Sequence, residues 1–158
     1  MKLIKPINVL IVGLGLLGGS YAKGLKRLGF KVSAITKEQS SIDYAIGNNI
    51  IDYGTTEIEA SVIADADLVI FALYPHIFID WIKDNQQYFK SGAILTDVTG
   101  VKGCIVEEIQ GILRKDVEFI SAHPMAGKEV SGVRTVMTAY LKVLTTLLYP
   151  PRKTHLKQ

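Results

Sequence analysis

Apolar and polar positions along the chain switch repeatedly between the spacing of a strand and the spacing of a helix. Ile7–Val12 is a short apolar run that breaks at a glycine-rich turn, and Ser20–Leu28 then carries Tyr21, Ala22, Leu25 and Leu28 on one helical face. Gly29 ends that helix, and Lys31–Ile35 predicts a second strand. Ser40 or Ser41 caps a helix running to about Gly47, Asn48-Asn49 predicts a turn, and Ile50–Tyr53 predicts a short third strand. A brief helix follows over Ile58–Ala64. The continuous apolar run Leu68–Leu73 has the pattern of a strand buried on both faces, and Pro75 stops it. Phe78, Trp81, Ile82 and Phe89 give Ile77–Phe89 a core-facing helical stripe. Ala93–Thr96 predicts a fifth strand, Val101–Leu113 a helix with Val106, Ile109 and Leu113 on one side, and Val117–Ser121 a sixth strand. Strands alternating with helices at this spacing predict an α/β fold, a doubly wound parallel sheet of the Rossmann type.

In such a sheet ligands bind beyond the carboxyl ends of the strands. The first of those ends reads Gly13-x-Gly15-x-x-Gly18, between a buried strand and a helix. Gly13 permits a sharp turn off the strand, Gly15 permits close approach of backbone to a pyrophosphate, and Gly18 permits tight packing of helix on sheet. The helix start aims free N–H groups at the phosphates. The same crevice receives Leu16 and Leu17 from the glycine loop, Thr36-Lys37 from the second strand, and Leu73-Tyr74 from the fourth. Asp97–Lys102 and His123–Gly127 complete it. Gly13, Gly15, Leu16, Leu17, Gly18, Thr36, Lys37, Leu73 and Tyr74 are therefore the candidate cofactor contacts.

An acid closing the second strand would hydrogen-bond the ribose hydroxyls of NAD and repel a 2′-phosphate. Thr36 stands there instead, followed by Lys37, which tilts the expectation from NAD to NADP. The alternative is an exposed lysine in a surface turn, with Glu38 close by. His123, at the end of the sixth strand, can accept a proton from a substrate hydroxyl while hydride leaves carbon. His76 follows a strand end incidentally. Asp97 and Thr99 either cap the helix near Val101 or face a small-molecule substrate, and Lys128, Glu129 and Ser131 either bind carboxylates or form a solvated turn. No Cys, His and acid spacing predicts a metal site.

Composition narrows the class. A length of 158 residues is one domain's worth, and no apolar run reaches the ~20 residues of a membrane span. The start, MKLIKP, lacks the apolar core of a signal peptide, and a lone cysteine, Cys104, suits a reducing cytoplasm. The net charge of +3 is unevenly placed: residues 1–133 hold 13 of the 18 Lys/Arg and all 15 Asp/Glu, while residues 134–158 hold five basic residues and no acid. The main body thus has no nucleic-acid-binding charge, and the tail is a different kind of sequence. The domain boundary is drawn at residue 133, before an atypical basic tail over residues 134–158. A homo-oligomer is left open.

Three stretches, GLGLLGGS, TDVTGVKG and FISAHPMAGKEVSGV, in this order and spacing, resemble the prephenate and arogenate dehydrogenase family of tyrosine biosynthesis over about residues 7–133. The resemblance implies oxidative decarboxylation of prephenate or arogenate with NAD or NADP. It implies that Gly13, Gly15 and Gly18 hold the pyrophosphate and that His123 draws the proton from the ring hydroxyl. Where the family has a serine contacting that hydroxyl, this chain has Gly100, with Thr99 one residue earlier as the candidate. Family enzymes continue into a helical, dimer-forming domain that supplies an arginine to the substrate, and residues 134–158 are too short for it. The expected protein is the nucleotide half, weak or inactive alone. A non-catalytic dinucleotide-binding module and a dehydrogenase or imine reductase with a related domain are the alternatives. Read one nucleotide earlier from about Arg134, the tail permits the acidic residues and apolar strand that the family places next. Met137-Thr138 then forces an aspartate, so the tail reads as out of frame. A genuine basic tail is the other reading.

Overall fold

The computed structural model describes residues 6–98, 101 and 103–121. Six parallel strands form one sheet: β1 (Asn8–Val12), β2 (Lys31–Ile35), β3 (Tyr53–Thr55), β4 (Leu68–Phe71), β5 (Ile94–Asp97) and β6 (Glu118–Ser121), in the order β3-β2-β1-β4-β5-β6. Five helices alternate with them: α1 (Leu16–Arg27), α2 (Gln39–Gly47), α3 (Ala60–Asp65), α4 (Pro75–Asn85) and α5 (Gly103–Ile112). A single 3-10 turn, Gln86–Tyr88, extends α4. The doubly wound α/β arrangement expected from the pattern is the one found. The order reverses between β1 and β4, which opens a crevice at their carboxyl ends.

Successive residues of each central strand go to opposite faces, as a two-residue period requires. Val9 and Ile11 of β1 join Ile70 of β4, Tyr21 and Leu25 of α1, and Ile42 of α2 in one core cluster. Leu10 and Val12 join Val69, Phe71 and Leu95 with α3, α4 and α5 residues in the other. All four residues of β4 are buried, which accounts for its unbroken apolar sequence. On the second face Phe78 lies 4.5 Å from Phe71, ring centre to ring centre.

Two boundaries differ from the expectation in an informative way. The third strand occupies Tyr53–Thr55, not Ile50–Tyr53. Asn49 turns at φ +54°, and Ile50 N–H donates back to the Ala45 carbonyl, so those residues finish α2. Ile51 is buried in the core outside any strand. Asp52 then closes the sheet edge, its carboxylate accepting Val32 N–H at 2.8 Å and Lys26 Nζ at 2.6 Å. Pairing begins only at Ser33↔Tyr53. The fourth strand ends at Phe71, and Pro75, expected as its stop, is the first residue of α4, where a missing N–H costs nothing.

Candidate functional site

The glycine loop is tied to both neighbouring strand ends. Gly13 N–H donates to Ile35 O at 2.9 Å, Ala72 N–H to Val12 O at 2.8 Å, and Leu14 N–H to Thr36 Oγ1 at 3.4 Å. Gly13 sits at φ +93°, and a Cβ there would lie 2.6 Å from the Ala72 carbonyl oxygen, so both conformation and space demand glycine. A Cβ on Gly18 would lie 1.9 Å from the Gly13 carbonyl oxygen. Gly15 differs: it begins α1 with no side-chain cap, and a Cβ would meet nothing within 4 Å. Nothing described in the protein requires glycine at position 15, whereas a ligand approaching the helix start would.

Beside this loop lies a cleft of about 440 Å³. Val12, Ile35, Leu73, Ile77 and Trp81 line its apolar part; Thr36, Lys37, Glu38 and Ser41 form its polar rim. Thr56 and Ile58, just past β3, line it too. An apolar slot with a few convergent polar groups, ending on glycine backbone at a helix start, fits a nucleoside joined to a pyrophosphate. Thr36 is the acceptor for Leu14 N–H, and Glu38 accepts Ser41 Oγ–H at 3.2 Å. Lys37 has no ion-pair partner among the described residues.

Of the sequence candidates, Gly13, Gly15, Thr36, Lys37 and Leu73 line this cleft. Leu16, 89% exposed, lines a neighbouring groove between α1 and α2, and Leu17 is exposed on the first turn of α1. Gly18 is buried beneath the loop, so it serves packing. Tyr74, 74% exposed, precedes α4 and stacks on His76 outside the cleft lining. Sequence reasoning missed Thr56 and Ile58 because it ended the third strand two residues early, and it assigned Trp81 to the core alone.

At the other end of the crevice Asp97 is fully buried. Its Oδ2 accepts Val101 N–H at 3.1 Å and its Oδ1 accepts Ser121 Oγ–H at 3.3 Å. This carboxylate therefore joins the end of β5, the approach to α5 and the end of β6. Burial, helped by the negative charge of Asp97, pushes the Tyr21 phenol above its ordinary pKa. Thr99, Gly100, Lys102, His123 and the stretch from Lys128 to Ser131 lie outside the described residues, as does the tail over 134–158. Among the described residues there is no cluster of three or more metal-ligating side chains, and no helix is long and apolar enough to cross a membrane.

The sequence matches the family described as prephenate dehydrogenase, nucleotide-binding domain, over residues 21–158. The chain belongs to that family. It is 30% identical over 145 residues to the prephenate dehydrogenase of Lactococcus lactis subsp. cremoris (strain MG1363), covering 90% of this chain and 40% of that one. Prephenate dehydrogenase from A. aeolicus, solved in complex with hydroxyphenyl propionate and NAD+, superposes with a TM-score of 0.69 at 38% identity, covering 84% of this chain and 46% of that one. Arogenate dehydrogenase from Synechocystis superposes with a TM-score of 0.67 at 26% identity, covering 78% and 43%. The chain thus spans about 40% of the length of the curated prephenate dehydrogenases it matches.

Proposed function

We propose that this chain is the dinucleotide-binding part of an NAD(P)-dependent prephenate dehydrogenase, and that it is weak or inactive in turnover by itself. The observation that carries the reading is the open Gly15 at the uncapped start of α1, bordering a cleft sized for a nucleoside. The HPMAGKEVSG stretch of residues 123–132, which follows β6, supplies the chemistry. Bound NAD(P) would accept the hydride released as the ring carboxylate of prephenate leaves as CO2 and 4-hydroxyphenylpyruvate forms. His123 takes the proton of the ring hydroxyl, and Thr99 contacts the same hydroxyl. Gly13 and Gly15 admit the pyrophosphate and Leu73 borders the rest of the dinucleotide, with Leu16, Leu17 and Tyr74, which lie outside the cleft lining, as its outer contacts. Arogenate is the second substrate reading, supported by the likeness to the Synechocystis arogenate dehydrogenase.

Thr36 and Lys37 stand at the end of β2 where an acid would favour NAD, which supports a slight preference for NADP. A lone cysteine, Cys104, supports a reducing, cytoplasmic setting. For the tail from Arg134, over which the family match nonetheless continues to residue 158, the out-of-frame reading is tested by sequencing the gene downstream, where a second-domain frame one base off is the expected result. For the function itself, titration with NAD and NADP should give saturable binding, and a prephenate oxidation assay on the same chain little or no turnover. Absence of binding to either dinucleotide overturns the cofactor reading. Robust turnover overturns the view that further sequence is needed.

A further inference from the structure

The crevice at the point where the strand order reverses has two sides. The cleft lined by Val12, Ile35 and Trp81 occupies the side of β1, β2 and β3. A doubly wound sheet takes a dinucleotide across such a crevice, one mononucleotide to each half, with the pyrophosphate at the turn between them. With adenosine in the cleft and the pyrophosphate on Gly13 and Gly15, the nicotinamide half passes over the carboxyl ends of β4, β5 and β6. Those strands end in register on Phe71, Asp97 and Ser121. Asp97 is the one acid of the three.

The Asp97 carboxylate is fully buried, with Oδ2 accepting Val101 N–H and Oδ1 accepting Ser121 Oγ–H. Both oxygens act as acceptors, which is the pattern of an ionised carboxylate. Its charge is felt as far as α1, where it adds to burial in raising the Tyr21 phenol. A charge acting through protein is screened far less than one acting through water. The oxidised nicotinamide ring is a cation and the reduced ring is neutral, while the rest of the two dinucleotides is the same.

We propose that Asp97 is a specificity-determining residue for the oxidation state of the dinucleotide: its buried carboxylate lies beneath the nicotinamide half of the crevice and favours the cationic oxidised ring over the neutral reduced one. The inference rests on the dinucleotide reading and deepens it. Hydride transfer abolishes the ring charge, so the carboxylate that favours loading of the oxidised form also favours release of the reduced form.

Calorimetric titration of the whole chain with NAD+, NADH and ADP-ribose, which lacks the nicotinamide, tests this. The parent chain should bind NAD+ about tenfold more tightly than NADH, the scale of one charge–charge interaction through partly polar protein. Asp97→Asn should remove most of that ratio by weakening NAD+ alone, with NADH and ADP-ribose affinities unchanged. Asp67→Asn, which removes a carboxylate just before the amino end of β4, should keep the ratio. Circular dichroism checks that each titrated variant is folded; if Asp97→Asn does not fold, the parent's own ratio decides. A parent chain that binds NADH as tightly as NAD+, or more tightly, overturns the inference. So does a ratio that survives Asp97→Asn, or an equal loss of all three ligands in a folded Asp97→Asn. In each case binding of ADP-ribose by the parent leaves the dinucleotide reading standing, whereas a parent that binds none of the three overturns that reading as well.

Discussion

The α-carbon of Gly18 faces the carbonyl oxygen of Gly13 so closely that a Cβ would stand 1.9 Å from it, while a Cβ on Gly15 would stand in open space. Two glycines of one motif thus have separate jobs. Gly18→Ala should destabilise the fold by about 1–3 kcal/mol or more through overpacking, read as a lowered urea midpoint without any nucleotide. Gly15→Ala should keep the parent's stability and instead lose dinucleotide affinity. Equal stability losses at both sites would contradict the division.

Asp97 holds Val101 N–H and Ser121 Oγ–H from a fully buried position. An amide at this site cannot accept with both of its ends. Asp97→Asn should therefore cost about 1–3 kcal/mol in denaturant unfolding, the range for leaving a buried polar group unpaired. Val101 and Ser121 lie close to Thr99 and His123 in sequence, so hydrogen exchange should rise first at the β5 and β6 ends.

The acid limb of stability should depend on Asp52. Burial alone would raise its pKa, but the Lys26 hydrogen bond, the Val32 N–H and the charges of Lys26 and Lys31 together hold it below the ordinary value. A carboxylate depressed in the folded state contributes stability above its unfolded pKa and loses it as pH falls through the folded one. The parent should thus exceed Asp52→Asn in stability at neutral pH. The gap should begin to close below about pH 4, where the unfolded carboxyl protonates, and vanish only below the lower pKa of the folded state. Because the pair is partly exposed, the gap should also shrink in high salt. A gap that is constant with pH would remove Asp52 from this role.

Lys37 stands on the cleft rim beside Thr36. Lys37→Ala should weaken NADP more than NAD, by roughly 1–3 kcal/mol, the scale of one charged hydrogen bond. Equal weakening, or tighter NAD binding by the parent chain, would reverse the cofactor preference.

His123 carries the proposed proton transfer. In a version of the protein extended to the length of its relatives, His123→Asn should slow the chemical step by about 10²–10⁴-fold, as for loss of a general base. Dinucleotide affinity should hardly change, since the imidazole serves the substrate. Unchanged turnover would take His123 out of the mechanism.

The alternation of apolar runs and helical stripes was enough to assign the doubly wound sheet. Hydrophobic period is a local property, so Lys31–Ile35 falls where that period put it, and β4 starts at Leu68 as expected although it ends two residues early, at Phe71. The glycine spacing likewise placed the loop, because φ +93° at Gly13 and the Gly18 contact leave little choice of residue. The start of β3 depended on partners far away in sequence. Asp52 occupies the Val32 N–H through its side chain, and Gly54 makes room for Ile42, since a Cβ there would lie 2.7 Å from Ile42 Cγ2. With β3 shifted, Thr56 and Ile58 reach the cleft, and α4 adds Ile77 and Trp81 from the opposite side. Sequence by itself determined the sheet, the glycine turn and which strand ends carry polar groups. Only the tertiary structure decided which residues share the cleft wall, which hydroxyls are already spent and which lysines are left unpaired. Those depend on distances between elements that periodicity does not encode.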